Sequence, residues 1–245
     1  MTIYAGDAPV LDRRTMLDIP ADSGAAWDAS FGSAFATNPT SSVMRMRALE
    51  DEEVGAPQVG AGLGRLPSQR IAPDTPMLDA QAARDKVSGM GLDIKIPEQG
   101  IREGALDILI DRHREQAARQ QVMIRANGGS FGTQLGASVA ASLLDPLNIA
   151  SAFVPVVGEA RYAAMLGRTA SPLGRAGVRA GVGAVEGAVG AAIIEPLPLL
   201  AAQQDQTEYG LSDSLANIAM GGLLGGGLHT VGGAVSDARL RRIAT

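Results

Sequence analysis

The chain has 245 residues, a formal net charge of −5 and no cysteine. Disulfides and thiolate metal sites are therefore excluded, and the charge balance does not favour nucleic acid. Apolar residues make up 46% of the chain, yet only 3% are aromatic and 31 are glycine, so such a chain packs backbone close to backbone instead of filling one thick core with large rings.

Residues 1–77 are rich in Gly, Pro, Ser, Asp and Ala and hold no apolar period for more than a turn or two. Such a stretch buries too little apolar surface to offset its ordering entropy. It reads either as a disordered tail or as a docking arm that orders on a partner. Trp27, Phe31 and Phe35 recur at four-residue spacing, so one short helix within it is the expected anchor.

Residues 78–128 form a second region. Leu78 to Val87 suggests a short helix stopped at Ser88-Gly89, and residues 91–97 alternate polar and apolar like an extended connector. Pro97 and Glu98 are expected to open a long helix. Its apolar face carries Ile101, Ala105, Ile108, Leu109 and Val122; Asp107, Asp111, Arg112, Arg114, Glu115 and Arg119 fall mainly on the other side. Asn127-Gly128-Gly129 is the expected stop.

Residues 129–245 are Gly/Ala-rich and apolar. Small residues recur every fourth position at Gly132, Gly136 and Ala140, at Gly183, Gly187 and Ala191, and at Gly221 and Gly225. That spacing lets two helix backbones approach closely. A helical glycine facing water costs about 1 kcal/mol against alanine, so these stripes are expected to be helix-packing or oligomerisation contacts. The runs Ala141-Ser142-Leu143-Leu144-Asp145-Pro146-Leu147 and Ala191-Ala192-Ile193-Ile194-Glu195-Pro196-Leu197 resemble one another. The residue before proline resists the helical region, so each helix is expected to end or kink there. Two hairpin-like units, 130–166 and 176–206, and a third apolar helix, 211–235, follow. Whether these helices are buried in a soluble assembly or enter a membrane conditionally is open at this level, because neither Ala126 to Leu144 nor Ser214 to Ser236 is a strong span alone.

No chemistry-bearing set emerges. Gly60 to Gly64 lacks the Lys-Ser/Thr of a phosphate loop, and no strand leads into Gly128-Gly129-Ser130-Phe131-Gly132. His113 lies among arginines and reads as solvated, whereas His229, in a glycine run, reads as a packing or hydrogen-bonded residue. No catalytic residue, metal site or cofactor is assigned. Arg161, Arg168, Arg175 and Arg179 make one stretch locally basic, which leaves lipid headgroups, nucleic acid and water equally open.

Several segments resemble internal virion proteins of short-tailed bacteriophages. These are Gly91-Leu92-Asp93-Ile94-Lys95-Ile96-Pro97 with Gly104 to Leu109, Asp145-Pro146-Leu147-Asn148, Phe153 to Tyr162, and Ala202-Gln203-Gln204 with Asp213 to Ala219 and its glycine-rich sequel. The resemblance covers about residues 80–240. It implies an ejection protein packaged near the portal inside the virion and delivered into the host envelope to help form a genome-delivery conduit. It further implies partners among its own copies in a homo-oligomeric ring, the portal or other core and tail proteins, and the host membrane. It also implies an N-terminal part of a longer protein. No lysozyme-like glutamate is present, so the cell-wall-cleaving activity of some relatives is not carried over. The expected fold is mostly α, with an extended or disordered N-terminal arm followed by Gly/Ala-rich helical hairpins. A non-membrane portal- or tail-binding adaptor and a pore-forming membrane effector are the alternatives.

Overall fold

A computed structural model describes residues 20–57, 70–126, 131–152 and 154–243. The fold is mostly α-helical. The irregular reading of residues 1–77 does not extend to Ser23–Val54. There, α1 (Ser23–Thr37) and α2 (Pro39–Val54) meet at Asn38. Asp22 caps α1 by accepting from the Ala25 amide at 2.8 Å, and Pro39 supplies the pre-set first turn of α2. Residues 1–19 and 58–69, with the Gly60–Gly64 run, lie outside the described residues.

A small core fills the N-terminal body. It joins Leu49 of α2, Ala83 and Val87 of α3 (Ala80–Ser88), Ile94, and Ile101 to Ile110. The alternation in residues 91–97 is realised, with Ile94 buried and Leu92 and Ile96 packed beside it. The long helix starts later than Pro97. A tight turn ends at Gly100, whose φ of +88° favours glycine and whose added Cβ would strike the Leu78 carbonyl. Ile101–Arg102 (β4) then pairs antiparallel with Met77–Leu78 (β3), and α4 (Glu103–Arg125) follows. Ala56–Pro57 (β1) and Arg70–Ile71 (β2) form a second short ladder.

The remaining helices are α5 (Phe131–Leu143), α6 (Pro146–Ser151), α7 (Glu159–Gly167), α8 (Pro172–Ile194), α9 (Pro196–Gln204) and α10 (Leu211–Ile243). The breaks at Asp145-Pro146 and Glu195-Pro196 fall where the sequence places them. The Asp145 break is also a joint. Its buried carboxylate accepts from the amides of Leu147 and Asn148 and from the Thr40 amide and hydroxyl, at 2.8–3.0 Å. Asn38 donates to the Ala141 carbonyl and accepts from Asn148. The α1–α2 corner is thereby seated on the α5–α6 corner.

Leu106 is fully buried at the centre of the N-terminal core. Leu106→Ala is expected to lower unfolding free energy by about 2–5 kcal/mol, read by urea denaturation followed by circular dichroism. A loss under about 1 kcal/mol would place the core elsewhere.

Candidate functional site: the glycine hairpin and its anchor

α8 and α10 run antiparallel with their backbones in contact. A Cβ added at Gly187 would strike the Gly221 carbonyl and the Gly225 Cα, and one at Gly183 would strike the Gly225 carbonyl. From the other side, Gly221 lies against Ala191 and Gly187, while Gly225 lies against Gly183 and Gly187. The sequence-predicted stripes Gly183/Gly187/Ala191 and Gly221/Gly225 are thus brought together inside one chain. A neighbouring row reinforces them, with Gly222 facing Ala184 and Ala188 and Gly226 facing Ala180 and Ala184. On its other flank α8 meets α6, where Gly190 leaves room for the Ser151 carbonyl.

The charges along the body of the hairpin turn inward and are paired, whereas Asp213 and Arg239 near the two ends of α10 are exposed. Arg179 donates twice to the Asp237 carboxylate at 2.9 Å, lying across Gly233. Glu186 is buried, accepts from the amides of Val156 and Val157 at 3.2 Å, and has His229 Nε2 at 3.3 Å. His229 Nδ1 donates to the Gly225 carbonyl and its ring meets Tyr162 edge-on. His229 is therefore a hydrogen-bonded packing residue, as the sequence suggests.

The outward faces carry no charge over most of their length. Every fourth residue of α8 from Gly177 to Ile193, and of α10 from Leu211 to Val235, is exposed and uncharged. On the helical wheel both follow on from the second row of the seam, Ala184/Ala188 and Gly222/Gly226, so the two stripes open on the same side of the hairpin. Pro172–Gln204 and Leu211–Arg239 are both long and apolar enough to cross a membrane by length and composition.

One end of the hairpin is anchored to the N-terminal body. Asp205, 1% exposed, accepts from both Arg45 of α2 and Arg112 of α4, and its carbonyl accepts from His113 Nε2 at 2.9 Å. Arg112 also donates to the Arg45 carbonyl, and Gln206 makes two hydrogen bonds with the backbone of Lys95. Beside this anchor, Tyr209 donates to Glu195 at 2.6 Å and accepts from Asn217. Burial, reinforced by the Glu195 carboxylate, holds its phenol above the ordinary tyrosine range. A cavity of about 710 Å³ separates α8 and α10 from α1, α4 and α5, with polar walls including Ser33, Gln116, Gln134, Ser138 and Asn217.

Two expectations are corrected, and the helix expected at Trp27 is found. Arg112 and His113 are not on a solvated face: both reach inward to Asp205, because the i+3 step from Leu109 carries Arg112 past the edge of the core. The short helix expected around Trp27, Phe31 and Phe35 is α1; its face buried within the chain is Ala26, Ala29 and Ser30, while Phe35 is exposed and stacks on Phe31 at 6.0 Å. Trp27 touches Gly136 of this same chain, with its ring partly exposed. The stripe Gly132/Gly136/Ala140 is displaced by one residue from the buried one. Gly132 is exposed and Ala140 half-buried, whereas Ala137 and Ala141 are fully buried, since α5 packs chiefly on the small-residue face of α1.

Among the described residues, no cluster of three His, Asp or Glu is placed to hold a metal ion. No protein-family model matches the chain, and no curated protein or solved structure matches it.

Asp205→Asn leaves two largely buried guanidiniums without their counter-charge and is expected to cost on the order of 3 kcal/mol, with amide exchange rising in α9 and α2 first. An exchange pattern identical to the parent would show that Asp205 anchors nothing.

Proposed function

We propose that this chain is an internal virion protein of a short-tailed bacteriophage, carried inside the capsid near the portal and ejected into the host envelope. There its α8–α10 hairpin associates with membrane and helps build the conduit for the genome. The observation that carries the reading is the hairpin itself. Two antiparallel helices, each long enough for the ~30 Å hydrocarbon layer, pair the charges of their central stretch internally, keep exposed charges to their ends, and present uncharged outer faces between. A lipid-facing helix pair needs its polar groups satisfied internally, and close small-residue contact is a common way for helices to associate in a bilayer.

Other properties support delivery from a capsid. The chain has no cysteine, so no disulfide obstructs passage through a narrow channel. Its apolar core is small and its regions are tied by a few buried carboxylates, which suits a protein that must unfold or rearrange in transit. The resemblance over residues 80–240 supplies the identity of the role. The reading involves no catalysis: the hairpin, not a reactive group, is its working part.

The non-membrane adaptor is the second reading, and the Asp205 anchor favours it. With Arg45 and Arg112 engaged, the α9 end of the hairpin is held on the N-terminal body, and that end does not cross a bilayer without releasing Asp205. The pore-forming effector shares the hairpin and differs in its source; an adjacent immunity gene would favour it, and adjacent portal and tail genes the ejection role.

Flotation with liposomes containing anionic lipid decides between membrane and adaptor. The parent is expected to float, Asp205→Asn to float more because its hairpin is released, and Leu223→Arg/Val231→Arg to float less, with helicity unchanged by circular dichroism. Failure of both the parent and Asp205→Asn to float removes the membrane role and leaves the adaptor.

A further inference from the structure

We infer that, in solution, the uncharged outer face of α8–α10 is covered by a second copy of this chain, packed antiparallel so that the basic end of each hairpin meets the acidic end of the other. This goes beyond the proposed role and does not depend on it, because it concerns the form of the protein before any membrane is met.

The face is too apolar to be left in water. Val185, Val189 and Ile193 of α8 and Leu215, Leu223 and Val231 of α10 are between 37% and 63% exposed. They lie on two adjacent helices of one hairpin, and an exposed apolar face of this kind marks an interaction surface. Exposed small residues lie among them at Gly177, Gly181, Ala219 and Gly227, so another helix pair can come close without losing contact between the larger side chains.

Charge identifies the occupant. At the end formed by the start of α8 and the close of α10 stand Arg168 and Arg239, with Arg242 one turn further on, beside Arg175 and Arg179, which share Asp237 within the chain. At the opposite end, around the α9–α10 turn, stand Glu195, Glu208 and Asp213. A single hairpin is thus basic at one end and acidic at the other, with a neutral stretch between. Two such hairpins related by a two-fold axis across their outer faces satisfy both ends at once and cover both apolar faces; a self-complementary patch of this kind is what a two-fold interface requires. A bilayer matches only one end, because anionic headgroups attract the arginines and repel Glu208 and Asp213. A parallel pair of hairpins sets like charges together and is disfavoured.

Sedimentation velocity of the full chain tests this. The parent is expected to be a dimer at micromolar concentration. Arg168→Glu/Arg239→Glu/Arg242→Glu makes both ends acidic, and Glu208→Arg/Asp213→Arg makes both ends basic; each alone is expected to weaken association at least about tenfold. Mixed one to one, the two variants restore opposite charges at both contacts and are expected to recover dimer affinity to within about threefold of the parent. A parent that stays monomeric overturns the inference, and if that monomer floats with liposomes the face belongs to lipid. Dimers unaffected by either reversal, or variants that fail to rescue one another, overturn the antiparallel arrangement. Sedimentation tests the dimer without lipid and flotation tests the membrane role without reference to dimers, so the two readings fail separately.

Discussion

The close approach of α8 and α10 is the constraint on which the C-terminal half depends. Glycine at 183, 187, 221 and 225 removes the side chains that would hold the two helices apart, and each carbonyl then fills the space a Cβ would need. The gain is dispersion contact along the whole seam. The cost is about 1 kcal/mol of helix propensity per glycine, which an isolated helix in water does not recover. The consequence is an inversion of ordinary globular packing. The small residues lie inside the seam, and the larger Val, Leu and Ile side chains stand outside it.

That inversion explains where the polar groups sit. Glu186 and Arg179 belong to helices with uncharged outer faces, so they are turned to the seam and its rim and matched there by His229, the amides of Val156 and Val157, and Asp237. The same logic repeats where the hairpin joins the rest of the chain. Asp205 meets two arginines from two different helices, and Asp145 gathers donors from both its own helix and the α1–α2 corner. With few large aromatics to lock one region to another, buried carboxylates with several donors do the joining.

Local pattern made some of this legible in the sequence and long-range pairing hid the rest. The small-residue stripes at Gly183/Gly187/Ala191 and Gly221/Gly225, the breaks before Pro146 and Pro196, and the inward alternation of Leu92, Ile94 and Ile96 each follow from a spacing, and each is found in the fold. What the stripes pair with is not a local property: the same spacing serves two copies or one chain, and here it serves one chain. The aromatic spacing of α1 located a helix but not the face it buries within the chain, because a helix built mostly of alanine, serine and glycine buries its flattest face, Ala26, Ala29 and Ser30. Asp205 and Arg45 carry no signal of their own, being separated by 160 positions and bordering no motif. Arg112 gave one, its place three residues after Leu109 on the inner edge of α4.

The absence of cysteine makes a direct test of the seam clean. A Cβ placed at Gly222 lies 3.5 Å from the Ala188 Cβ, within the about 3.5–4.5 Å separation that a disulfide spans without backbone movement. Oxidation of the double variant Ala188→Cys/Gly222→Cys is predicted to give an intramolecular bond, seen as a monomer of altered mobility on a non-reducing gel, with helicity unchanged. The pair Gly177→Cys/Gly222→Cys, with residue 177 facing open space, is predicted to give no such bond. If the first pair stays reduced or links only between chains, α8 and α10 are not packed backbone to backbone within one molecule, and the account of the hairpin is wrong.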